Sequence, residues 1–148
     1  MSDFSNDYNE EDYLYYNQKD GTFEEDLRGH MGHVSLFSMG ADAADMNNDL
    51  LPDLLTMDMM PEFNFNQKAM LGPENYGKYS ELLNKGFYPQ SMRNMFQLNR
   101  GDGKFVEIAQ YSGVAHTDWS WAVLAADFDN DGWKDIFISN GYARNYLD

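Results

Sequence analysis

Apolar residues along this chain fall in short runs bounded by Asp, Asn and Gly, the mark of brief strands joined by tight turns. Four such runs follow one another toward the C-terminus: Met95–Asn99, Lys104–Ala109, Ser120–Ala126 and Asp135–Ser139. Asp102-Gly103 separates the first two and predicts a hairpin, since Asp-Gly between extended segments readily supplies the positive φ that tight turns need. An acidic loop separates the last two. One stretch departs from this pattern: Tyr76, Tyr79, Leu82 and Leu83 share one side at helical spacing and predict two turns of helix over 76–84, although Gly77 weakens it.

The same order of elements occurs twice. Sliding the sequence by 82 residues lays 94–140 over 12–58 without a gap, and 12 of the 47 aligned positions are identical. The identities gather where geometry is demanding. Asn17, Asp20, Gly21, Phe23 and Glu25 meet Asn99, Asp102, Gly103, Phe105 and Glu107 around the hairpin. Ala43, Ala44, Asp45, Asn48, Asp49 and Asp53 meet Ala125, Ala126, Asp127, Asn130, Asp131 and Asp135 around the acidic loop, and Ser38 meets Ser120. Phe4-Ser-Asn6-Asp-Tyr8 resembles Ile138-Ser-Asn140-Gly-Tyr142, so residues 1–11 read as the tail of a preceding unit. The units are then 12–58 and 94–148, the second carrying an exit strand, with 59–93 as an insert containing the short helix.

Four antiparallel strands in a unit of roughly 40–50 residues are the pattern of a propeller blade. The predicted fold is therefore all-β: a partial propeller of antiparallel four-stranded blades with a short, partly helical insert. About two blades leave apolar sides and sheet edges uncovered. The chain accordingly reads as a piece of a longer protein, or as a unit completed by other chains, with the remaining blades as its first partners.

The loop Asp127-Phe-Asp129-Asn-Asp131-Gly132-Trp133-Lys-Asp135 predicts a calcium site. Asp127, Asp129 and Asp131 offer carboxylates at the first, third and fifth positions, Trp133 a backbone carbonyl at the seventh and Asp135 a carboxylate at the ninth. Such a set approaches the roughly six to eight oxygens that Ca²⁺ takes. Gly132 permits the sharp turn. An EF-hand would place a bidentate Glu at the twelfth position, whereas Ile138 stands there within an apolar strand. The corresponding loop offers Asp45, Asn47, Asp49, the Leu51 carbonyl and Asp53. Asn47 removes one formal charge, and Leu50 replaces the turn glycine, at a strain on the order of 1–2 kcal/mol if it is left-handed. The second loop is expected to bind more tightly. The bland alternative is that each loop is held by Asp side chains capping its own backbone N–H groups.

The Asp-x-Asp-x-Asp-Gly-x-x-Asp loop followed by a short apolar strand resembles the FG-GAP/VCBS repeats of integrin-α-like propellers. The segments Ser38–Asp45, Asp118–Asp127 and Ile138–Tyr142 resemble the bacterial VCBS-repeat proteins of the ASPIC/UnbV and cartilage acidic protein type. That resemblance implies a propeller with structural Ca²⁺, placed outside the cell, in the periplasm or at the outer cell surface, and binding extracellular protein or polysaccharide. A site of modest affinity fills only where calcium is near millimolar, which agrees with that placement.

Composition narrows the classes further. A net charge of −15, from 25 acidic and 10 basic residues, excludes a phosphate-binding surface for nucleic acid. No apolar run reaches the ~18–20 residues of a membrane span, and the N-terminus lacks the basic and apolar regions of a signal peptide. There is no cysteine, hence no disulfide or thiolate chemistry. Asn9-Glu-Glu-Asp12 reads as a solvated acidic stretch rather than a second kind of metal site.

Several motifs have plain explanations. Arg100-Gly101-Asp102 coincides with Gln18-Lys19-Asp20 of the other unit and is turn chemistry. His30, His33 and His116 lack an accompanying ligand cluster in sequence and read as surface or capping groups. Trp119 and Trp121 flank Ser120, which places both indoles on one face of a strand, with core packing between blades as the default and sugar stacking as the alternative. The ten methionines read as fillers of irregular core gaps. In the insert, Tyr76, Tyr79, Phe87 and Tyr88 suit either a binding loop or a cover over a blade edge. The leading function is a non-catalytic calcium-binding module. The rivals are part of a propeller hydrolase or lyase acting on carbohydrate, for which every recurring Asp already has a loop or turn role, and an adhesion or assembly module pairing through its blade edges.

Overall fold

The structure, a computed structural model, describes residues 12–70 and 76–141. It is all-β in character, built mostly of short antiparallel sheets with a few short helices. The expected preceding tail over 1–11, with Phe4–Tyr8, and the end of the exit segment from Tyr142 lie outside the described residues.

Each Asp-Gly turn closes a hairpin. Strands β1 (Tyr15–Asn17) and β2 (Phe23–Glu25) form the first, and β8 (Met95–Asn99) and β9 (Phe105–Glu107) the second. The two turns agree bond by bond. Asn17 accepts from the Lys19 N–H at 2.8 Å as Asn99 does from Gly101 at 3.0 Å, and Asp20 accepts from Thr22 at 2.9 Å as Asp102 does from Lys104 at 3.1 Å. Positive φ is required at two places in each, 64° at Lys19 and 94° at Gly21, 76° at Gly101 and 80° at Gly103. The recurring glutamate clasps the hairpin's exit. Glu25 accepts from Leu27 at 2.9 Å and Leu14 at 3.5 Å, and Glu107 from Ala109 at 2.6 Å and Phe96 at 3.2 Å, which are the matching positions.

The strands flanking the acidic loops also pair with each other: β4 (Gly40–Ala44) with β5 (Asp53–Met57), and β10 (Asp118–Ala126) with β11 (Asp135–Asn140). Sheet membership, however, cuts across the repeat. The four-stranded sheet runs β4-β5-β8-β9, so one half, β4–β5, comes from the first unit and the other half, the hairpin β8–β9, from the second. Leu54 lies opposite Gln97, Leu55 opposite Phe96 and Thr56 opposite Met95. The hairpin β1–β2 stands as a separate two-stranded sheet. The pair β10–β11 takes only β6 (Met59–Met60) as a third strand.

Strand alternation directs neighbouring residues of β5 to opposite faces. Leu55 and Met57 join Phe96, Ala109 and Ala115 in one core, against which Val123, Ala125, Ile136 and Ile138 of β10–β11 pack. Leu54 faces the other way. With Leu14 and Phe105 it packs on a second core of Leu27, Met31, Val34 and Tyr88, built around the single-turn helix α1 (Leu27–His30). The four-stranded sheet is thus the middle layer. Met57 and Met95 are fully buried within it, as gap-filling methionines should be.

The stretch that carries the paired indoles is irregular. Ser120 is the fully buried residue of that stretch, while Trp121 is half exposed, and neither Trp119 nor Trp121 belongs to a core. The reason is local. Register shifts between Ser120 and Ala122, and the Trp121 ring lies over Gly141, where an added Cβ would come within 2.8 Å of Cε3.

The insert enters between β5 and β8. It holds α2 (Asn64–Met70) and α3 (Tyr76–Asn84), the latter where the spacing predicted a helix, and β7 (Gln90–Ser91), which pairs in parallel with β3 (Val34–Ser35). Its two ends are stapled by buried polar groups. Asn94 accepts from the Asp58 N–H at 2.8 Å and donates to the Val114 carbonyl at 2.8 Å and to Thr117 Oγ1 at 2.6 Å. Asp58 itself accepts from Leu36, Phe37 and Met59. Burial raises its pKa, more than these hydrogen bonds pull it back.

Glu107 behaves oppositely. Burial pushes its carboxyl up, but bonds from His33, Arg93 and the Ala109 and Phe96 N–H groups outweigh that and hold it well below the usual range. Arg93 lies 2.6 Å away, and both side chains are nearly buried. Because the folded pKa is depressed, this stabilisation is present above the ordinary glutamate pKa of about 4.3 and fades as pH falls below it. Glu107→Gln should lower stability by about 2–3 kcal/mol at pH 7, by urea unfolding, and lose less between pH 5 and pH 3 than the unaltered chain. An unchanged acid limb would show that Glu107 does not govern it.

Candidate metal centre

Both acidic loops fold by the same arithmetic of side-chain oxygens and backbone N–H groups. In the second loop the Asp127 carboxylate accepts from Asp131 at 3.0 Å and Gly132 at 3.0 Å, Asp129 accepts from Asp131 at 3.2 Å, Asp131 from Trp133 at 2.8 Å, and Asp135 from Phe128 at 3.0 Å. In the first, Asp45 accepts from Asp49 at 3.0 Å and Leu50 at 2.9 Å, Asn47 from Asp49 at 3.2 Å, Asp49 from Leu51 at 2.9 Å, and Asp53 from Met46 at 3.0 Å. Every bond has its counterpart 82 residues on. Leu50 is left-handed, with φ of 69° where Gly132 has 93°, and its side chain is almost fully exposed. Nothing packs there to offset the strain.

The loops differ in what remains for a cation. Asp127, Asp129 and Asp135 each bring a carboxylate oxygen within 4.8 Å of the others. Ions coordinated at 2.3–2.6 Å hold their ligands at such mutual distances, so this donor set fits a hard divalent cation. Asp131 stands outside that group, its Oδ1 taken by the Trp133 N–H, and Trp133 supplies the seventh-position backbone beside it. At the matching positions the first loop has Asp45, Asn47 and Asp53, so an amide replaces one carboxylate of the trio. Asp53 is completely buried, and its two oxygens go to Met46 and to the Asn99 N–H of β8 at 2.8 Å. Asn47 turns its amide toward Asp49 at 2.9 Å. The sequence gives no sign that Asp53 doubles as a strand-to-strand link.

The two loops touch. Asn48 donates through Nδ2 to the Gly132 carbonyl at 3.1 Å, which places both on one rim of the molecule. The histidines lie elsewhere. His30 Nδ1 is 2.6 Å from the Asp26 carbonyl and its ring stacks on Tyr16, while His33 Nε2 sits 2.8 Å from Arg93. His116 has its pKa lowered by burial and by the Arg93 charge. Arg100 and Asp102 pair with each other at 3.5 Å across the hairpin turn.

Residues 87–138 match the family of FG-GAP-like repeats. The matched stretch runs from the end of the insert through the second hairpin and the second acidic loop into β11. Neither the curated proteins nor the solved structures contain a match to this chain. No helix among the described residues is long and apolar enough to cross a membrane.

The left-handed positions make an asymmetric prediction. Gly132→Leu should destabilise the chain by about 1–2 kcal/mol, since it imposes the strain that Leu50 already carries. Leu50→Gly should change stability by less than about 1 kcal/mol, relief of strain being offset by the added freedom of the unfolded chain. Thermal or urea unfolding of the two variants checks both signs.

Proposed function

We propose that this chain is a calcium-stabilised segment of an extracellular β-propeller, a non-catalytic module that binds protein or polysaccharide. The observation that carries the reading is the convergence of Asp127, Asp129 and Asp135 in a loop whose backbone is already shaped. The FG-GAP-like match over the same residues supports a propeller blade as its setting. The antiparallel order β4-β5-β8-β9, packed on one face against β10–β11 and on the other against the core around α1, supports it from topology. The closer likeness to the VCBS and ASPIC/UnbV type rests on Ser38–Asp45, Asp118–Asp127 and Ile138–Tyr142 alone.

In this reading Asp127, Asp129, Asp131, the Trp133 carbonyl and Asp135 hold the ion, with Asp45, Asn47, Asp49, the Leu51 carbonyl and Asp53 as a weaker second set. When bound, calcium neutralises carboxylates that otherwise repel one another and clamps β10 to β11 at the rim. The ion's work is structural. Support for a non-catalytic role comes from the displaced carboxyls: Asp58 and Glu107 are both committed to backbone N–H groups inside the fold, away from the loops. With a dissociation constant of ~0.1 mM, ~1 mM calcium would add about 1.4 kcal/mol per site. That condition is met outside the cell.

Thermal unfolding with calcium raised from EDTA to several millimolar should show a rising midpoint. Asp127→Ala should remove most of that rise and Asp45→Ala little of it. Terbium in place of calcium should give luminescence sensitised by Trp133, lost in Trp133→Phe. A midpoint indifferent to calcium together with no terbium signal would dispose of the metal reading.

A further inference from the structure

Two of the sheet edges left unpaired among the described residues are halves of a joint that the molecule has already made once. β11 is the outer strand of β11-β10-β6, and β1 pairs only with β2. By the 82-residue repeat, β11 corresponds to β5 and β1 to β8. β5 and β8 are hydrogen-bonded neighbours at the centre of the four-stranded sheet.

The residues that make the internal joint are present on both free edges. Asp53 accepts from the Asn99 N–H at 2.8 Å, and Asn99 Nδ2 donates to the Pro52 carbonyl at 3.1 Å. Asp135 and Asn17 are the identical residues at the equivalent positions. Of Asp135's oxygens, only the one facing Phe128 has a partner shown. Burial tells the same story. Leu55 and Met95 are 0% and 1% exposed inside the joint, whereas their counterparts Phe137 and Tyr13 are 59% and 44% exposed. Tyr15 and Phe23 on one side, and Leu124 and Phe128 on the other, are likewise large, apolar and uncovered.

We infer that the β11 edge of one copy of this chain receives the β1–β2 hairpin of a second copy, in the register of the internal joint. Ile136 then lies opposite Tyr15, Phe137 opposite Leu14 and Ile138 opposite Tyr13, with Asp135 accepting from the Asn17 N–H across the contact. Strand addition of this kind is driven by main-chain hydrogen bonds and given specificity by alternate side chains. The contact joins unlike surfaces, so it propagates head to tail and ends only by closing a ring. Each copy supplies one full sheet and two half sheets, and a propeller of roughly four to eight blades would close with about two to four copies. The inference rests on the repeat and on the β5–β8 pairing. It does not require calcium.

The test uses the full chain, which contains no native cysteine. Sedimentation from micromolar to near-millimolar concentration, in calcium and in EDTA, should show growth to a closed species of about two to four copies. Leu14→Cys and Phe137→Cys chains, mixed and mildly oxidised, should form the mixed disulfide several-fold more than Phe23→Cys with Phe137→Cys. Phe137→Lys, at an exposed position, should keep the circular dichroism of the fold and sediment as a monomer. A chain that remains monomeric at every concentration overturns the inference, as does an assembly that persists unchanged in Phe137→Lys or cross-links no better than the control. In-register cross-linking alongside a calcium-indifferent melt would retain the joint and remove the metal reading; the reverse pair of results would do the opposite.

Discussion

The rest of this structure depends on the carboxylate of Asp53. Wholly buried, it accepts one N–H from Met46, which closes the first acidic loop, and one from Asn99, which brings in the hairpin of the other repeat. An ionised group is costly to bury, and here two backbone donors compensate it directly. The same group therefore fixes a loop, a strand junction and the middle layer on which both cores rest. Two loops with matching backbones differ in acidic donors because Asn47 stands where the second loop has Asp129, so the carboxylate trio forms only from Asp127, Asp129 and Asp135.

Recurrence in the sequence marks side chains that do the work of backbone. Asn17 and Asn99, Asp20 and Asp102, Glu25 and Glu107, and the loop aspartates all accept main-chain N–H groups at equivalent distances, so substitution would leave orphan donors. The polar identity of Ser38 with Ser120 is a side-chain pairing instead: Ser38 Oγ bonds Ser35 Oγ and Ser120 Oγ bonds Thr117 Oγ1, again at matching positions. Strands, turns and the candidate site were legible for that reason. Apolar positions follow no such rule, since Leu55 and Phe137 or Met95 and Tyr13 align without being identical.

Three things were not legible, each for a physical cause. A repeat in sequence has no intrinsic starting point, so nothing in it says which four strands share hydrogen bonds. The sheets are in fact cut between the hairpin and the loop pair. The irregularity at Ser120 and Ala122 is equally silent, because a single inserted register step leaves the alternation of Trp119, Ser120 and Trp121 intact on paper while turning an indole away from the core. Helix α3 was visible by its spacing. How the insert is anchored was not, since Asp58 and Asn94 align with Asn140 and Asp12 and so fall outside the identities of the repeat.

That anchoring gives the insert a freedom the rest of the chain lacks. Residues 59–93 leave and rejoin the central sheet at two points tied by the Asp58 N–H to Asn94 bond, with the polar cluster around Thr117 and Ser120 closing over it. A loop whose ends are held independently of its contents pays only the slowly growing entropy of length, about 0.6 kcal/mol for each doubling. The stretch that holds α2 and α3, Asn64 to Asn84, is thus a natural graft point: length and sequence can be exchanged there while β6, β7, Tyr88 and Arg93, which the sheets, the second core and Glu107 use, stay in place.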